Sequence, residues 1–135
     1  MGVSRAGMKT TIEKIQSFVQ LQPGWSFGEG IGFAQNTLNK AIQLAKSAYT
    51  LGFHETDAFP GLNGEVMITV YQSCEYWEFT LQPTETITFV YEKGEETVVY
   101  EEGLPFEFAV SVLTNIAFHH HLFTVQEPAT VAVLA

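Results

Sequence analysis

The residues of this chain best equipped for chemistry are His54, Glu55 and Asp57, close together in the stretch FHETDAFPGLNG. An imidazole beside carboxylates can relay a proton or ligate a metal. Hydrolytic sites of the H-E-x-x-H type take a second histidine from the same helix, and none stands at that spacing here. His119, His120 and His121 are consecutive, so on a helix they point about 100° apart and do not converge on one ion from a single chain. Cys74 is the sole cysteine, which leaves no internal disulfide and suits a reducing cytoplasm. The glycines of PGWSFGEGIG resemble a phosphate loop in number only. No strand pattern precedes them, no Lys-Ser/Thr pair follows, and Glu29 sits in their midst. The sequence therefore assigns no catalytic residue, no cofactor and no metal. In that loop the glycines serve turning, and Trp25 and Phe27 are expected to plug an edge of the core.

What must position any site is the stretch from Glu65 to Glu101, which reads as strands joined by tight turns. Side chains alternate between the faces of a strand, so each turn must keep the apolar sets together. A two-residue turn at Ser73-Cys74 pairs Val70 with Trp77, Ile68 with Phe79 and Val66 with Leu81. A turn at Pro83-Thr84-Glu85 then sets Leu81 beside Ile87 and Phe79 beside Phe89, with the proline outside the ladder. Closure around Lys93-Gly94 places Val98 and Tyr100 on the face of Phe89. The opposite face, with Met67, Thr69, Tyr71, Tyr76, Glu78, Thr80, Thr86, Thr88 and Val99, is mostly polar and faces water.

An apolar sheet face needs a cover, and helical patterns flank the meander. Thr10-x-x-Glu13 is a capping-box pattern that starts a first helix running to about Gln20, with residues 1–8 as a loose arm. A second helix spans Gln35 to Leu51, its stripe formed by Leu38, Ala41, Ile42, Ala45, Ala48 and Tyr49, and Gly52 ends it. FHETDAFPGLNG is a loop into the first strand. Gly103-Leu104-Pro105 opens a third helix that buries Phe106, Ala109, Val110, Leu113, Ile116 and Ala117. Phe108 and Val112 widen that stripe beyond what one sheet needs. The predicted fold is α+β over 1–135: a four-stranded antiparallel meander, one face covered by two N-terminal helices and a C-terminal helix. Residues 126–135 form a second arm, apolar enough to dock on a second subunit.

Charge is divided along the chain. Residues 1–46 hold five basic and two acidic residues, whereas residues 47–135 hold one basic residue, Lys93, and thirteen acidic ones. The acidic half repels phosphate backbones, so nucleic acid is not an expected partner. No apolar run approaches the ~20 residues of a membrane span, and no membrane partner is expected. Net charge keeps a protein soluble, and it also steers a basic protein partner toward the acidic half.

The middle of the chain resembles a large set of small uncharacterised prokaryotic proteins. The likeness rests on Trp25-x-x-Gly28-x-Gly30, the Ala-rich helix Gln35–Leu51, the Pro60-x-x-x-Gly64 turn and the meander with its following helix, roughly residues 23–118. Many such proteins read W-D-G-x-G in the loop and end the first strand in Leu-Glu-Trp, whereas this chain has Trp25-Ser26-Phe27-Gly28 and Ile68-Thr69-Val70. The resemblance implies the architecture and no activity.

The expected function is a small acidic cytoplasmic protein-binding module without catalysis, akin to a chaperone or antitoxin. Its partner is another protein or a second copy of itself in a dimer. The candidate partner surface comprises Met67, Tyr71 and Tyr76 on the sheet and Phe108 and Val112 on the third helix. The alternatives are a metal-dependent or acid/base enzyme using His54, Glu55 and Asp57, and a purely structural oligomer.

Overall fold

A computed structural model describes residues 2–119, with side chains from residue 9 onward. Helix α1 spans Gly2–Ser17 and continues as a 3-10 turn, Phe18–Gln20; helix α2 spans Gln35–Thr50. Five strands follow, β1 (Glu55–Pro60), β2 (Val66–Gln72), β3 (Glu75–Leu81), β4 (Thr86–Lys93) and β5 (Glu96–Pro105), and helix α3 (Phe106–Ala117) closes the order. The strands form one antiparallel sheet in the order β1-β2-β3-β4-β5. The chain is thus α+β, but with five strands rather than four.

The central register follows from the alternation of apolar residues. Val66, Ile68 and Val70 oppose Leu81, Phe79 and Trp77, and Phe79 and Leu81 oppose Phe89 and Ile87. A one-residue slip would turn all these side chains to water. Ser73, at the tip of the β2–β3 turn, has φ 57, and Glu85, before β4, has φ 72. Phe79 and Phe89 lie with ring centroids 5.3 Å apart, and Trp77 stacks on Tyr91 at 5.6 Å. These residues share one core with Ile15 and Phe18 of the first helical segment, with Leu38, Ala41, Leu44, Ala45 and Ala48 of α2, and with Ala109, Leu113 and Ala117 of α3. Helix α1 packs on β1 and α2, α2 lies over β2 and β3, and α3 covers β4 and β5. The small alanines of α2 let it approach the sheet closely enough to bury Leu44, a residue outside the expected stripe.

Four expectations need correction. β1 was expected as a loop, because its core-facing residues Thr56, Ala58 and Pro60 carry little apolar signal. They are small because α1 lies against them, and Thr11 Oγ1 lies 2.9 Å from Thr56 Oγ1. Helix α1 begins at Gly2 rather than Thr10, so Thr10 is an interior residue and not a cap. Val98 and Tyr100 do not share the face of Phe89. β5 carries an extra residue between the Glu92–Thr97 and Tyr91–Val99 pairs, so Val99 turns inward and Tyr100 pairs with Val90 on the opposite face. Finally, Phe27 plugs nothing: it is 104% exposed. Trp25 does pack inward, its indole N–H donating to the Ile31 carbonyl at 2.9 Å and its ring 6.0 Å from Phe33. The arm at 126–135 lies outside the described residues.

Candidate functional site

His54, Glu55 and Asp57 come to lie at the start of the edge strand β1. His54 and Glu55 are exposed. Asp57 is engaged: its Oδ1 accepts from the Lys14 ammonium at 2.9 Å and from the Ala58 amide at 2.7 Å. The three side chains therefore line an edge instead of converging. Among the described residues no group of three His, Cys, Asp or Glu side chains is placed to hold a metal. His119 is exposed at the end of α3; His120 and His121 lie outside the described residues.

The expected partner residues fall on opposite sides of the sheet. Phe108 packs edge-on against Phe89 at 5.3 Å, and Val112 also lies against the core, both beneath α3. Met67, Tyr71 and Tyr76 stand on the outer face, where the Tyr71 and Tyr76 rings approach to 5.1 Å. They cannot form one surface with Phe108 and Val112.

The outer face is the more informative of the two. No described helix packs on it, yet Thr69, Thr80 and Val90 are only 1%, 8% and 9% exposed there. Their neighbours wall them in. Successive cross-strand pairs lay a row Thr69–Glu78–Val90–Tyr100 across the sheet and a second row Met67–Thr80–Thr88 beside it. Phe59 rises at one edge and Tyr100 at the other, and both are exposed. The result is a trough with a cavity of about 290 Å³, lined by Phe59, Met67, Glu78, Thr80, Val90 and Tyr100, with Glu65 and Glu102 at its margins. The hydroxyl of Thr69 is buried without a hydrogen-bond partner among the described residues.

Carboxylates and phenols are coupled on this face. The Tyr76 hydroxyl donates to Glu78 Oε1 at 2.6 Å, and the Tyr100 hydroxyl to Glu102 Oε2 at 2.7 Å. Burial, then the bond to Glu78 and its charge, push the Tyr76 phenol well above its ordinary value. Tyr100 is raised by its bond to Glu102 and by the charges of Glu102 and Glu78. Both phenols stay protonated donors, which fixes the orientation of the carboxylates.

No protein-family model, curated protein or solved structure matches this chain. The chemistry of the face is thus the guide to its use. The outward positions of the strands supply Glu55, Asp57, Glu78, Glu92 and Glu102 and no lysine or arginine. Such a surface offers apolar ring faces, oriented acceptors and negative potential. Sequence reasoning located Met67, Tyr71 and Tyr76 but missed Phe59, Val90, Tyr100 and Glu102. The first was hidden by reading β1 as a loop and Tyr100 by the extra residue in β5. The alternating threonines Thr69, Thr80 and Thr88 were the available sign of a half-buried outer face.

Proposed function

We propose that this chain is a non-catalytic protein-binding module, an acidic holder of a partner in the manner of a small chaperone or antitoxin, and that its binding surface is the outer face of the sheet. One observation carries the reading: Thr69, Thr80 and Val90 are nearly as buried as the core although no described helix covers them. A wet sheet face ordinarily leaves such residues open to solvent. Walls of tyrosine, phenylalanine, methionine and glutamate keep water from them, and aromatic-rich concave surfaces of this kind are where partners gain contact area. The dispersed positions of His54, Glu55 and Asp57 weigh against the enzyme alternative, since acid–base work needs groups within hydrogen-bond reach of a common atom.

The test is affinity capture from the native cell with the wild-type chain and with a Tyr71→Ser/Tyr76→Ser variant. A partner retained by the first and lost by the second, with thermal stability nearly unchanged, supports the reading. Capture of the same partners by both chains places the surface elsewhere.

A further inference from the structure

Two of the chain's own cations show how it holds positive charge. Lys14 places its ammonium 4.4 Å from the ring centroid of Phe59 and 2.9 Å from Asp57 Oδ1. Lys40 places its own 5.5 Å from the Phe106 ring and 3.3 Å from Glu85 Oε1. In both, a cation lies against an aromatic face and a carboxylate together, so that ring quadrupole and negative charge act on it at once.

The same pairing of parts recurs across the outer face from Lys14, at the Tyr100 edge, and there no cation is supplied. Tyr100 has Glu102 bonded to its hydroxyl and Glu78 near enough for its charge to act on the phenol. No ion pair joins Glu78 or Glu102 to a lysine or arginine among the described residues. Between them, with Val90 as floor, lies the cavity of about 290 Å³. That is just under the range of small-molecule sites, roughly 300–1,000 Å³, and suits one long side chain. We propose that this cavity receives an arginine side chain from a basic segment of a partner protein. The assignment rests on the outer face being the binding surface, as set out above. The aliphatic stem passes over Val90 and Met67, and the planar guanidinium reaches Glu78 and Glu102 against the Tyr100 ring. Arginine fits better than lysine: its fork can bond both carboxylates while its plane stacks on the phenol, whereas an ammonium is a compact, strongly hydrated point charge.

The experiment is fluorescence anisotropy with the full chain and three short labelled peptides, in which leucine alternates with arginine, lysine or glutamine. The arginine peptide should bind most tightly and weaken with salt, the lysine peptide should bind less well, and the glutamine peptide should not bind. Glu78→Gln/Glu102→Gln keeps acceptors for both tyrosines and removes both charges. It should weaken the arginine peptide about tenfold, as expected for losing two partly shielded ion pairs. Equal binding of lysine and arginine peptides overturns the choice of side chain. Undiminished binding to the double variant, or no binding of the arginine peptide at low salt, overturns the cavity's role. A glutamine peptide that binds and is released by Tyr71→Ser/Tyr76→Ser refutes the basic partner yet leaves the surface standing. Unchanged capture by that tyrosine variant defeats the surface itself.

Discussion

Replacing Phe27 by asparagine should stabilise the protein, although it deletes a large aromatic side chain. Phe27 and Gly28 form the tip of a tight turn, with φ values of 55 and 91. Reciprocal backbone hydrogen bonds between Ser26 and Glu29, at 2.8 and 2.9 Å, close it. Turns with positive φ at both central residues favour Asn-Gly, because most side chains crowd the backbone there. That crowding costs roughly 1–2 kcal/mol for an ordinary residue, and asparagine relieves part of it. The ring is 104% exposed, so no burial is forfeited when it is removed. The balance is a gain of about 0.5–1 kcal/mol, which for a chain of this size raises Tm by about 2–5 °C. Thermal unfolding followed by circular dichroism at low micromolar concentration reads it directly. A loss of about 1 kcal/mol or more, in the usual range for a destabilising substitution, refutes the reasoning. It would mean that the ring is covered in solution, and a concentration-dependent Tm would then identify a second copy as the cover.

Three further outcomes are expected. Gly30→Ala should be costly, because its Cβ would lie 2.5 Å from Trp25 Nε1 at a φ of 99; loss of the Trp25 bond to Ile31 should appear as a shift in tryptophan fluorescence. Phe79→Ala should cost about 3–5 kcal/mol in denaturant unfolding, whereas Thr80→Ala, on the trough floor, should cost under about 1 kcal/mol. The hydrogen bond to Glu75, followed by burial, pushes the Tyr91 phenol up to about 12. Its protonated form is therefore favoured by folding. The stabilisation is complete below pH 10, the ordinary phenol value, and is lost as pH rises through about 12. Glu75→Gln should move that phenol's absorbance titration to lower pH, and an unchanged titration would show that Glu75 is not the cause.

The sequence made legible whatever depended on alternation between large apolar residues. Val66 to Phe89 announced their own register because a slip would expose Trp77, Phe79 and Ile87 together. α2 was legible because small and large apolar residues recur with the helical period and Gly52 ends the pattern. β1 was not, since a strand beneath a close-packed helix carries Thr56 and Ala58 where an open one would carry valine. The trough was half legible: Met67, Glu78 and Thr80 follow from the register of β2 and β3, but its far wall depends on β5. Phe27 could not be placed either, since hydrophobicity argues for burial and only the φ of its turn argues otherwise.

β5 holds a consequence for how this surface can change. Its pairing with β4 is offset once near Val98 and again near Glu102-Gly103. Both offsets add a residue to β5, so the second undoes the first, much as paired frameshifts restore a reading frame. Only the short window between them is inverted, which is why Val99 faces the core while Tyr100 faces outward and Leu104 again points inward. The far wall of the trough is thus written in spacing more than in residue identity. Without the first offset Val98 would oppose Tyr91 and Tyr100 would oppose Phe89 on the core side, whereas losing Val98 together with that offset would keep Tyr100 opposite Val90 and facing outward. Point substitutions can tune this wall residue by residue; gaining or losing the offset itself is what can switch it in a single step.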